Sequence, residues 1–237
     1  MATELVYLND AYSTKCESKV AFVEFTDLVA DRSVMVPSVD GQPNDRGKVT
    51  IDGKSFPIVD VWTDGTSVHL ISLDTYPQDI TGHSVSQSVD WGVRHLHMRF
   101  RTALFILAGL AYKHFGAGSR INQTYDDQAW IDINVDEMTE EMVKTLEEEA
   151  NIYVSRKVAV SNRYLTKQEF TENSSLMAFS KGKVPDLDNT RICEIEGLPL
   201  QPDQGTQVKN TEEVGKISIK TSLVKGKISR RLTVTLS

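Results

Sequence analysis

The spacing of apolar residues changes character once along this chain, at Val89-Asp90-Trp91. Before that point apolar and β-branched residues alternate over short stretches. Lys19 to Phe25, Lys48 to Ile51, Phe56 to Val61 and Ser67 to Ser72 read this way. Turn dipeptides Asp40-Gly41, Asp52-Gly53 and Asp64-Gly65 punctuate them. Several short strands at such spacing predict a small barrel or sandwich over residues 1–88. From Asp90 to about Phe115 the period becomes helical, with Val93, Leu96, Phe100, Leu104, Leu107 and Ala111 in phase. Ser88 or Asp90 is placed to cap this helix, and Gly116 to end it.

Beyond it, Ala129 to Val135 reads as extended, and Thr139 opens a second helix with Met142, Leu146, Ala150 and Val154 on one face. Thr166-Lys167-Gln168-Glu169 starts a short third helix, and strands return from Arg191. Helices and strands mix without βαβ alternation. The prediction is an α+β chain, with a β-barrel at 1–88 and an α+β domain at 89–237 in which a long helix packs on an antiparallel sheet.

Charge narrows the partners. The net charge is −7, which disfavours a chain devoted to phosphate backbones. Yet no acid follows Gly215, while Lys216, Lys220, Lys225, Lys227, Arg230 and Arg231 do. That tail is either a solvated sheet edge or an RNA contact. Cys16 and Cys193 lack metal-type spacing. The longest apolar run is too short to span a bilayer, and the first ten residues do not read as a signal peptide. The expected location is cytoplasmic, with no membrane partner.

Two stretches carry a resemblance. Arg99-Phe100-Arg101-Thr102-Ala103-Leu104-Phe105-Ile106-Leu107 is similar to the HTALHxL motif of the AlaX-type alanyl-tRNA editing family. Asp203-Gln204-Gly205-Thr206-Gln207-Val208-Lys209-Asn210-Thr211 is similar to its CGGTHVxNT motif. Gly41-Gln42-Pro43-Asn44-Asp45 resembles the GGGQPxD turn, and Glu213-Val214-Gly215 the EIG that follows. The closing Arg230-Arg231-Leu232-Thr233-Val234 also fits. The resemblance runs from about residue 5 to the end. It implies a barrel followed by an editing-type domain, and hydrolysis of mischarged aminoacyl-tRNA at a zinc held by three histidines and a cysteine.

The four ligand positions fall here on Arg101, Phe105, Asp203 and Gln207. Arginine offers a metal no lone pair and repels it, and phenylalanine has no donor atom. No metal and no cofactor is therefore expected. His95, His97, His69, His83 and His114 do not form a replacement set by spacing. Arg101 and Asp203 are expected to meet as an ion pair, either plugging the former site or working in it. The candidate catalytic residues are Arg101, Asp203, His97 and Gln207, with His97 a general base or a surface residue of its helix. The candidate substrate contacts are Phe105, Thr206, Asp40 and Gln42. Phe105 is either an apolar wall or core filling. Cys193 reads as a core or edge residue.

The first functional expectation is a metal-independent AlaX homologue whose pocket is repurposed for acid–base chemistry on a small-molecule ligand. The reaction would be a hydrolysis, elimination or cyclisation, as in specialised metabolism. The alternative is trans-editing of mischarged tRNA, and the second alternative a non-catalytic module binding tRNA or protein. The sequence leaves the substrate and the oligomeric state open.

Overall fold

The computed structural model describes residues 2–237 and, save for Arg120, their side chains. The chain forms two compact units, Met1–His97 and Met98–Ser237.

In the first unit, β1 (Glu4–Leu5) leads into one helical turn, α1 (Val6–Asn9). Seven strands follow: β2 (Lys15–Glu24), β3 (Asp27–Ala30), β4 (Arg32–Ser33), β5 (Gly47–Ile51), β6 (Lys54–Thr63), β7 (Val68–Ser72) and β8 (Ser84–Val89). Six of them close into a barrel in the order β2-β3-β7-β6-β5-β8. Alternation dictates the filling. Val49 and Ile51, Phe56, Ile58 and Val61, and Val68 and Leu70 point inward and are buried. Each such side chain contributes roughly 1.5–3 kcal/mol on leaving water. Asp52-Gly53 makes the two-residue turn between β5 and β6, both residues at positive φ as that turn requires. Gly47 lets β5 approach β8, since a Cβ there would collide with the Ser88 carbonyl.

Helix α2 (Trp91–Phe115) begins where the periodicity changes. Asp90 caps it, its Oδ1 accepting from the Val93 amide at 3.3 Å. Gly116, at φ +63°, ends it. The apolar stripe anticipated for this helix understates its burial. From Met98 to Ala111 every side chain except Arg99 is buried. Here the helix is surrounded, and its polar residues must find partners inside.

The second unit continues with β9 (Ser119–Thr124), β10 (Ala129–Ile133), α3 (Glu140–Ser155), β11 (Val160–Thr166), α4 (Lys167–Glu172), α5 (Ser174–Phe179), β12 (Asn189–Ile195) and β13 (Gln201–Pro202). A 3-10 turn at Thr211–Val214 precedes β14 (Ile217–Lys220), β15 (Leu223–Val224), β16 (Lys227–Ile228) and β17 (Arg231–Leu236). Two antiparallel sheets result, β14-β17-β10-β9 and β11-β12-β13, with β15-β16 a separate hairpin. The expected caps are present. Thr139 accepts from the Met142 amide, and Thr166 with Glu169 forms a full capping box. The chain is α+β with an N-terminal barrel, and no helix among the described residues is long and apolar enough to cross a membrane.

Candidate functional site

Asp203 follows the short strand β13 and is tied to β12 by its amide, which donates to the Arg191 carbonyl at 3.1 Å. This places a fully buried carboxylate beside the helix residue Arg101. Arg101 donates to Asp203 Oδ1 from Nε at 2.8 Å and from Nη2 at 2.6 Å. The Gly205 amide reaches the same oxygen at 3.0 Å. The other oxygen, Oδ2, accepts from Arg191 Nη1 at 3.3 Å, Asn162 Nδ2 at 3.2 Å and Gln207 Nε2 at 3.2 Å. Burial by itself would raise the Asp203 pKa. The charges of Arg101 and Arg191, with the Gly205 amide, outweigh it and hold the carboxyl below its usual range.

The surrounding residues are locked in turn. Thr102 Oγ1 donates to Gln207 Oε1 at 2.7 Å and accepts from the Val208 amide at 3.2 Å. Arg191 Nη1 also donates to the Gly205 carbonyl at 2.9 Å. The Arg101 guanidinium lies 5.1 Å from the centre of the Phe105 ring. Farther along, Asn210 and Glu213 make a capping box on the 3-10 turn, and Thr211 Oγ1 donates to the Tyr153 carbonyl. The Asn-Thr and Glu-Val-Gly stretches thus anchor the segment that carries Asp203.

A zinc site needs several N, S or O donors with free lone pairs around one point. At the four positions, Arg101 and Phe105 have none. Asp203 already accepts at both oxygens, and Gln207 uses its amide on Asp203 and Thr102. The residues present do not fit zinc. Among the described residues no group of three or more His, Cys, Asp and Glu side chains is placed to hold a metal.

The structure therefore brings together Arg101, Phe105, Asp203 and Gln207, with Thr206 buried beside Gln207 in the sequence. Asp40, Gln42 and His97 belong to the first unit. Asp40 sits at φ +45° in a tight turn closed by a Val39–Gln42 bridge. Gln42 is buried. His97 is buried as well, at 1 % exposure, which corrects its reading as a surface residue of an amphipathic helix. Both cysteines are free, and Cys193 is a core residue whose thiol burial pushes well up. Sequence reasoning missed Arg191, Asn162 and Thr102. Only Thr102, inside the first motif, carried a local signal. Arg191 and Asn162 arrive through pairing of β11 with β12, which sets Asn162 opposite Cys193.

No family model matches the chain. The alanyl-tRNA editing protein AlaX-M of Methanosarcina barkeri is 33 % identical over 242 residues, 99 % of this chain and 99 % of that relative. AlaX-M of Saccharolobus solfataricus is 29 % identical over 235 residues, again 99 % of each. An alanine–tRNA ligase of Metallosphaera sedula is 29 % identical over 224 residues, 92 % of this chain but 24 % of the ligase.

Proposed function

Because the chain belongs to the AlaX family of alanyl-tRNA editing proteins, we propose that it acts on the aminoacyl end of mischarged tRNA and releases the amino acid without zinc. The observation that carries this reading is a surplus of buried positive charge. Asp203 is one carboxylate between two guanidinium groups, Arg101 and Arg191, which leaves a formal charge of +1 in the cluster. In addition, the buried Arg191 Nε–H meets no acceptor among the described residues.

Ester hydrolysis is accelerated by such a charge. Water attacks the ester carbon and gives up a proton, the carbonyl oxygen becomes an oxyanion, and the bond to the ribose oxygen breaks as that oxygen takes up the proton the water lost. A cation fixed in a dry site stabilises the oxyanion without reorganising. In this reading Arg101 and Arg191 supply the charge, Asp203 and Gln207 position them, and Phe105 with Thr206 lines the site. The editing-type role falls to the domain read from the sequence at 89–237. Asp203 is not the base, since both its oxygens already accept hydrogen bonds. That also weakens acid–base chemistry on a small molecule, which the relatives named above do not support.

The saturation of Asp203 favours one second reading, a protein that binds the aminoacyl end without cleaving it. The test is deacylation of a serine-charged alanine tRNA with chelator present. Chelator-resistant hydrolysis that disappears in Arg101→Ala supports the proposal. Binding without hydrolysis supports the second reading. Activity that requires added zinc overturns the metal-free chemistry.

A further inference from the structure

The acidic residues of this chain, 33 in all, end before Gly215, and the six cations beyond it are all exposed. Pairing places two of them, Lys220 and Arg231, on one face of the sheet β14-β17-β10-β9. On β10, Ala129, Ile131 and Ile133 are buried, so Trp130 and Asp132 stand on the opposite face. Register then sets Lys220, Thr233, Trp130 and Gln123 in one row across four adjacent strands. The Arg231 guanidinium carbon lies over Trp130, 3.7 Å from the ring centre, and the side chain donates to Asp132 through two hydrogen bonds of 2.7 and 2.8 Å.

The hairpin β15-β16 follows β14 in the chain and is bridged to Met138 through Ile228. Its turn is Lys225-Gly226, both residues at positive φ, and Leu223 is 72 % exposed. A cavity of about 570 Å³ adjoins the hairpin, lined in part by Asp132, Asp136, Glu137, Lys227, Arg230 and Arg231. Two of its acids are already matched: Asp132 by Arg231, and Glu137 by Lys227 at 3.8 Å. Asp136 remains as an opposing charge. Among the described residues, Lys216, Lys220 and Lys225 have no carboxylate within ion-pair distance. A surface that keeps three cations unspent, in a chain of net charge −7, is suited to a polyanion such as a phosphate backbone.

We propose that this sheet face and its hairpin are the surface on which the tRNA backbone lies, Lys216, Lys220 and Lys225 meeting phosphates beside Trp130. The inference rests on tRNA being the substrate. The experiment measures binding of uncharged tRNA against salt for three proteins. These are the wild type, a variant carrying Lys216→Ala, Lys220→Ala and Lys225→Ala, and a charge-matched control carrying Lys15→Ala, Lys19→Ala and Lys48→Ala in the barrel. Each phosphate contact adds about 0.9 to the slope of log affinity against log salt. The sheet variant is expected to lose two to three units of slope, roughly, and about tenfold or more in affinity at low salt, while the control keeps the wild-type slope. Equal loss in both variants overturns the surface assignment. So does an unchanged sheet variant that merely aggregates, because the lysines would then be edge guards. A wild type that does not bind tRNA overturns both this inference and the editing reading.

Discussion

Helix α2 supplies an arginine to each of two buried ionic centres, and the two are built differently. In the barrel unit Arg94 meets Asp45 one to one, and both side chains are fully buried. Arg94 Nε donates to Asp45 at 2.7 Å, and its other nitrogens reach the Val34 and Ala11 carbonyls. The remaining demand of Asp45 is met by the Val36 amide at 2.7 Å. Charge and hydrogen bonds balance there. In the second unit Asp203 answers two arginines, and one donor, Arg191 Nε, is left over. A balanced pair is a structural knot. An unbalanced cluster keeps electrostatic capacity that the fold itself does not consume.

Breaking the balanced pair should cost most. Asp45→Ala strands a fully buried guanidinium, and urea titration should show a loss of about 3–5 kcal/mol. A loss below about 1 kcal/mol would end the contrast. Asp203→Asn comes next. The amide keeps part of the hydrogen bonding but leaves two buried cations without a counter-charge, so a loss of about 2–4 kcal/mol is expected together with deacylation. Arg191→Met sharpens the comparison further. It removes the surplus charge and should cost only about 1–2 kcal/mol, for the carbonyls it leaves unpaired, yet lower deacylation at least tenfold. Arg94→Met should instead cost as much as Asp45→Ala. If the two methionine variants behave alike, the clusters are equivalent.

The smallest effect concerns pH. The folded-state pKa of Asp203 is depressed, because two guanidiniums outweigh its burial. Its contribution to stability is then complete above the ordinary carboxylate pKa, about 4, and is lost as pH falls toward the depressed value. Urea midpoints between pH 5 and 7 should match for wild type and Asp203→Asn in their dependence on pH. The acid-side decline assigned to Asp203 should be missing from the variant. A decline beginning near neutrality would contradict the assignment.

Local rules made the elements legible. Period-two runs became barrel strands, Asp52-Gly53 became a hairpin turn, and Asp90, Thr139 and Thr166 became caps. The meeting of Arg101 with Asp203 was legible too, through motif order. The second arginine was not. Arg191 shares no spacing with either motif, and only the pairing of β12 with β11 and β13 brings it to Asp203. Burial of His97 was hidden for a related reason. Helical periodicity puts His97 on the solvated side, but it stands at the edge of the buried stretch, next to Met98, while Gly92, His95 and Leu96 stay exposed or half-buried. Asp45 lay within a recognised turn motif, but its partner Arg94 stands 49 residues away.

The saturation of Asp203 also constrains what this lineage can become. To form a metal-binding set at these four positions, Arg101 and Phe105 would have to change and Asp203 and Gln207 would have to give up their present hydrogen bonds. Replacing Asp203 first strands two cations, and replacing Arg101 first weakens the hold on a buried anion. Each single step costs about as much as a large share of a domain's stability margin. Single substitutions at Arg101 or Asp203 are therefore opposed by stability, so the centre locks its own composition.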